Sequence, residues 1–354
     1  MSRFLGSCVF LILLHFSGLP GQTAPAPQLQ SKTAPPPGGT DQQITLDVQV
    51  TDKSGAAVRG LQKDDFILLD DKQPKDIVSF HAVDSPAVGL VLVMDEVNVT
   101  YQMAAFERAE LKKFLLWNGG KLALPVSFVI FTEAGTKMLG GFSSDGKALS
   151  ALYDKHTTEQ RSGNVITGGN YSVQQRLDKS IKTLISLIAF EGTLPGRKLM
   201  LWFGPGWPII SRTSIQVYRQ DEQQIFDTIV AATNGLRKAR VTLYTIDPFG
   251  PESSGGNRIS DYKGYLKGVT APSEALLGNL DLEVLAVNSG GLALNSTNDL
   301  TAAIAECATD AHSFYVLSFE GARAAHANEY RALEVKVDKP AATARTRTGY
   351  YAEP

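Results

Sequence analysis

An aspartate directly follows an apolar run, Gly89-Leu90-Val91-Leu92-Val93-Met94-Asp95. A carboxylate at the end of a buried strand can ligate a hard cation, cap a helix or collect hydrogen bonds from the turn that follows. Asn98 adds an amide oxygen three residues on. Gly204-Pro205-Gly206-Trp207-Pro208 follows the run at 198–203, and Asp247-Pro248 follows the run at 241–246. The stretch 162–170, with Thr167 and Asn170, precedes a helical stripe and can present backbone N–H groups or side-chain oxygens. Each feature alone is an ordinary turn or cap. Ligands of an open parallel sheet sit beyond the carboxyl ends of its strands. Asp95, Asn98, Thr167, Asn170, Gly204, Gly206, Trp207 and Asp247 therefore form the candidate ligand-binding set.

Catalytic residues are not expected. There is no Gly-x-Ser-x-Gly elbow, no Walker A loop and no His-Glu-x-x-His pair. Gly204-x-Gly206 is a fragment of a dinucleotide fingerprint, but Ile209 stands where the third glycine belongs. His156 and His312 lack triad partners, and Cys307 on a helix is expected to be a small buried hydrophobe.

The elements that must position these residues are legible from periodicity. Continuous apolar runs at 89–94, 126–131, 198–203, 241–246 and 314–319 predict strands buried on both faces. Val173, Leu177, Ile181, Leu184, Ile185 and Ile188 make a helical stripe, as do Ile225, Phe226, Ile229, Val230 and Leu236. Met103, Phe106, Phe114 and Leu115 mark a further helix, and residues 249–279 an irregular insertion. Strands alternating with helices predict a doubly wound, mostly parallel α/β sheet with helices on both faces. At 44–50 and 333–337 the pattern switches to strict alternation, which predicts half-buried strands at both chain ends. The ends either pair into one small β domain or stand apart.

Of the 354 residues, 43% are hydrophobic and 20% charged, which is ordinary globular composition. The formal net charge of −2, without a Lys/Arg run, argues against nucleic acid as a partner. Arg3, the apolar stretch 4–16 and the small residues near Ala24 predict a signal peptide over 1–24, hence a secreted or periplasmic protein. No membrane span is expected after its removal. A Pro-rich linker over 25–43, a β unit over 44–85, an α/β domain over 86–322 and C-terminal strands over 323–354 complete the expected layout.

The order of elements resembles a von Willebrand factor A domain, with Asp95 at the aspartate that opens the family's Asp-x-Ser-x-Ser metal motif. The stretches 50–55, 60–66 and Gly349-Tyr350-Tyr351 resemble the bacterial VWFA-related family, best known from acidobacteria; the resemblance spans roughly residues 44–352. It implies a Rossmann-like fold and a binding or adhesion role toward a protein or cell-surface ligand. Departures from the motif matter. Val97 and Val99 stand at the two serine positions, Thr167 to Asn170 match the threonine loop only loosely, and Gly204-Pro205-Gly206 replaces a further aspartate. Valine offers no oxygen to a cation. The expectation is a degenerate metal site around Asp95, with no cofactor required and at most weak binding of Mg²⁺ or another divalent cation. An envelope structural or assembly protein without a discrete ligand site is the alternative, followed by a hydrolase with an unrecognised site.

Overall fold

A computed structural model describes residues 43–84, 88–162, 173–207, 219–247, 262–295 and 299–354. Thr167, Asn170 and Pro208, the segment 1–42 and part of the insertion lie outside these residues. Strands β1 (Gln43–Thr51), β2 (Phe66–Asp70), β3 (Gln73–Lys75) and β4 (Ser79–Val83) come first. Then follow β5 (Val88–Asp95), α1 (Tyr101–Leu116), β6 (Lys121–Thr132), β7 (Gly135–Asp145), α2 (Gly146–Ser162) and α3 (Val173–Glu191). Next are β8 (Arg197–Phe203), α4 (Arg219–Lys238), β9 (Val241–Ile246), α5 (Leu282–Asn288), β10 (Ala293–Leu294) and α6 (Leu300–His312). The chain closes through β11 (Phe314–Glu320), β12 (Glu329–Val337), β13 (Thr343–Arg345) and β14 (Gly349–Ala352).

The central sheet has the order β10-β9-β8-β5-β6-β7, parallel throughout except for the antiparallel edge pair β6 and β7. Every residue of β8 and of β9 is buried, the burial expected for strands covered on both faces. Alternate residues serve opposite cores. Val91, Val93, Met200 and Trp202 face one layer with α3, α4 and α5. Leu90, Leu92, Met94, Leu199, Leu201 and Phe203 face the other with α1, α2 and α6. The doubly wound α/β architecture predicted from the runs is the one observed. Local chemistry sets the helix starts: Thr100 Oγ1 accepts from Met103 N at 3.3 Å, and Asp299 Oδ1 from Ala302 N at 2.9 Å. No described helix is long and apolar enough to cross a membrane.

Two features depart from the sequence reading. The run at 314–319, expected among the parallel strands of the α/β domain, instead forms β11, which pairs antiparallel with β1 and β4. A fully apolar run records burial on two faces but not which sheet supplies the neighbours. The second departure is β7, which the periodicity misses. It is an edge strand in which Leu139 alone is buried, broken by Gly140 and Gly141.

The chain ends are hydrogen-bonded into two antiparallel sheets, β13-β1-β11-β4 and β14-β12-β2-β3. Ile44, Leu46, Val48 and Val50 of β1 share a core with Phe66, Leu68, Leu333, Val335 and Tyr350. The alternation in β1 and β12 thus turns one face of each strand into that core.

Candidate functional site: the carboxyl edge of the central sheet

Asp95 ends β5, with Met94 in register with Phe203 of β8 and Asp95 in register with Phe131 of β6. Its side chain is buried, and both oxygens are occupied. Oδ1 accepts from the backbone N–H of Val97 and of Asn98, each at 2.9 Å. Oδ2 accepts from Asn98 Nδ2 at 2.8 Å and from Trp202 Nε1 at 3.0 Å. Asn98 Nδ2 also donates to Ser180 Oγ at 2.9 Å, and Ser180 Oγ donates to Arg176 O at 2.9 Å. One carboxylate thereby joins β5, β8 and α3. Burial pushes the Asp95 carboxyl above its ordinary range, against the opposing effect of the Asn98, Trp202 and Val97 hydrogen bonds.

Trp207, which the sequence placed in the ligand set, is 3% exposed. It packs edge-on against Trp202 with centroids 5.6 Å apart, inside the core on the α3–α4 face. Burial of its ring removes it from any direct contact with a partner. Gly204 and Gly206 have φ of +143° and +77°, backbone that the absent side chain permits. A Cβ at Gly204 would also lie 3.3 Å from Asp95 Cβ, so this glycine lets the β8 turn close over Asp95. Asp247 is buried, and its N–H donates to Leu294 O at 2.9 Å. The structure therefore brings Asp95, Asn98, Gly204 and Trp207 into one packed unit, with Asp247 at the end of β9.

Glu107 was not singled out by the sequence reading. It is 1% exposed, and its Oε1 has no hydrogen-bond partner. Burial, then the charges of Asp95 and Asp247, push its carboxyl well above the ordinary range. The signal was present: Met103, Glu107, Leu111 and Leu115 recur every four residues and form the buried face of α1. Glu96 and His156 stand nearby, with His156 Nε2 3.8 Å from Glu96 Oε2. Tyr101, at the first turn of α1, is an exposed aromatic, 54% exposed.

A divalent cation of the A-domain type would need a shell of oxygen ligands. Here the oxygens of Asp95 face four N–H donors, one of them an indole. Val97 sits in the hydrophobic core, and Val99 Cγ1 lies 3.6 Å from the Cβ position of Gly204. Among the described residues no group of three or more His, Cys, Asp or Glu is arranged to hold a metal ion. Among the described residues, the donors gathered around Asp95 do not fit the cation.

No family model and no curated protein matches this chain. Among solved structures it is similar to manganese-loaded TRAP protein of Plasmodium vivax, at 12% identity over 78% of this chain and 99% of that one, with a TM-score of 0.36. It is similar to proximal thread matrix protein 1 from the mussel byssus, at 13% identity over 68% of this chain and 49% of that one, with a TM-score of 0.30. The SpRpn10 VWA domain is 10% identical over 45% of this chain and 74% of that one, with a TM-score of 0.25. Likenesses this low carry no functional argument. The class is defined by the chain's own topology: a doubly wound, mostly parallel α/β fold carrying a β part built from both chain ends.

Proposed function

We propose that this chain is a secreted or periplasmic VWFA-related binding module of bacterial type, recognising a protein or surface ligand at the carboxyl edge of the central sheet. It works without catalysis and without a required cation. The observation that supports this reading is the enclosure of Asp95 by four donors. That enclosure makes the edge a rigid support rather than an open set of reactive groups. Rigid supports with surface contact residues are the usual arrangement of recognition sites. With Trp207 inside, Tyr101 is the aromatic contact residue offered on this edge, and exposed tyrosines are frequent interface anchors.

The test is capture of envelope components on the immobilised chain in excess chelator, beside a Tyr101→Ala variant. Cation-independent capture that falls at least tenfold in Y101A is the expected result. Capture that requires Mg²⁺ or Mn²⁺ would overturn the cation-free reading. Turnover of a test ester or peptide that disappears in Asp95→Ala would favour a hydrolase. Export is tested separately: the extracytoplasmic protein should begin between Gly21 and Ala26, and intact Met1 in cytoplasmic material would refute it.

A further inference from the structure

In an Asn-Gly pair the backbone can react with a side chain. The glycine nitrogen attacks the asparagine Cγ and closes a five-membered ring, and glycine has no Cβ to obstruct the approach. Nucleophile and carbonyl belong to adjacent residues, so the step is intramolecular and needs only the right rotation. The sequence holds two such pairs, Asn118-Gly119 and Asn234-Gly235. Folding treats them oppositely.

Asn234 and Gly235 lie inside α4, where helical hydrogen bonds fix the backbone. Asn234 Nδ2 donates to Tyr351 O at 2.9 Å, and Asn234 Oδ1 accepts from Tyr351 N at 3.1 Å, so the side chain is tied to β14. A Cβ at Gly235 would lie 2.8 Å from Ile188 Cγ2, which shows how closely this backbone sits against α3. Neither the side chain nor the peptide can swing without local unfolding.

Asn118 and Gly119 belong to the turn Trp117–Gly120 between α1 and β6, and both are exposed. Asn118 has φ +49° and ψ +40°, and Gly119 has φ +67° and ψ +15°, left-handed backbone that asparagine and glycine tolerate best. The Asn118 side chain has no hydrogen-bond partner among the described residues. Nothing lies within 4 Å of a Cβ built on Gly119. At a ψ of +40° the Gly119 nitrogen points away from Cγ, so the ring closes only after the peptide turns about the Asn118 Cα–C bond. The Lys121 N–H donates to Asn118 O and opposes that rotation. One exposed backbone bond is a far weaker restraint than the helix, side-chain bonds and packing that hold Asn234.

We propose that Asn118 is a site of spontaneous deamidation through a succinimide. Solvent base takes the Gly119 N–H proton, and the nitrogen bonds to Asn118 Cγ. The Cγ–Nδ2 bond breaks, and ammonia leaves with a proton from water. A water molecule then opens the ring at either carbonyl, which yields aspartate or isoaspartate. A neutral amide thus becomes a carboxylate beside Lys121, close to Lys147, whose Cγ lies 2.7 Å from a Cβ built on Gly120. The isoaspartate also lengthens the backbone of the turn by one methylene.

The experiment ages the full chain at neutral and mildly alkaline pH, folded and in urea, and follows tryptic peptides by mass spectrometry. Residues 114–121 report Asn118 and residues 220–237 report Asn234. In the folded chain, replacement of the amide NH₂ by OH is expected at least tenfold faster at Asn118 than at Asn234, with chromatographically separate aspartate and isoaspartate products. In urea the two sites should convert at similar rates. Gly119→Ala, with circular dichroism unchanged, should slow Asn118 at least tenfold. Equal rates at the two sites in the folded chain, or an intact Asn118 over a period that converts it in urea, would overturn the assignment. Aspartate without isoaspartate would overturn the succinimide route.

Discussion

Trp202 Nε1 and Asp95 Oδ2, 107 residues apart in sequence, form a buried hydrogen bond at 3.0 Å. The perturbation is a double-mutant cycle of Asp95→Asn and Trp202→Phe. In D95N, Oδ1 keeps its two backbone donors, but the new amide N–H₂ points at the indole and at the Asn98 side chain. Asn98 can turn its amide, because its Oδ1 has no partner. The indole N–H then remains orphaned, at about 1–3 kcal/mol for a buried unsatisfied donor. W202F removes that donor and leaves a small cavity whose cost is common to both aspartate backgrounds. The coupling energy should therefore be about 1.5–3 kcal/mol, the range for a hydrogen bond to a charged group. Urea unfolding followed by far-ultraviolet circular dichroism at pH 7 in chelator reads each variant, with the slope checked for constancy. Additivity within about 0.5 kcal/mol would refute the shared bond. So would stabilisation of wild type by Mg²⁺: a cation at a hundred times its Kd adds about 2.7 kcal/mol, and none is expected.

Glu107→Gln should stabilise the protein at neutral pH, because burial and two neighbouring carboxylates raise the Glu107 carboxyl well above 4.5. A raised carboxyl contributes stability that is full below the unfolded value and is lost as pH rises through the folded one, so wild-type stability should fall over that window and E107Q should flatten the fall. An unchanged pH profile of unfolding would count against this. Trp207→Ala should destabilise by about 3–5 kcal/mol, as for a core aromatic, without altering partner affinity in the folded protein. Direct titration of the partner checks that, and a selective affinity loss would return Trp207 to the contact surface. Removing residues 323–354 strips β12, with the β14 paired to it, from β2 and strips β13 from β1. Hydrogen exchange should then show lost protection over 43–70, and retained protection there would mean the early strands stand alone.

Much of the architecture was legible because burial writes itself into residue order. Parallel strands covered on both faces must be apolar throughout, so 89–94, 198–203 and 241–246 announced β5, β8 and β9. A helix covering a sheet must repeat its apolar side chains at helical spacing, so Leu177, Leu184 and Ile188 announced α3. Asp95 was legible as a special group, since a carboxylate at the end of such a strand requires partners. That Val97 and Val99 bring no side-chain oxygen to this edge was legible from residue type alone.

Partners distant in sequence were not legible. Nothing near Asp95 says that its fourth donor is the indole of Trp202, or that Trp207 faces the core beside it. Those facts follow from the registry of β5 against β8 and from the turn that Gly204 allows. The apolar run 314–319 reads the same in a parallel or an antiparallel sheet; pairing with β1 and β4 assigned it to the β part. Likewise Arg197, Arg240 and Arg347 look like scattered surface charges until folding draws them toward Asp47. Periodicity records how much of each element is covered, while the identity of what covers it is a long-range property that exists only once the chain has closed on itself.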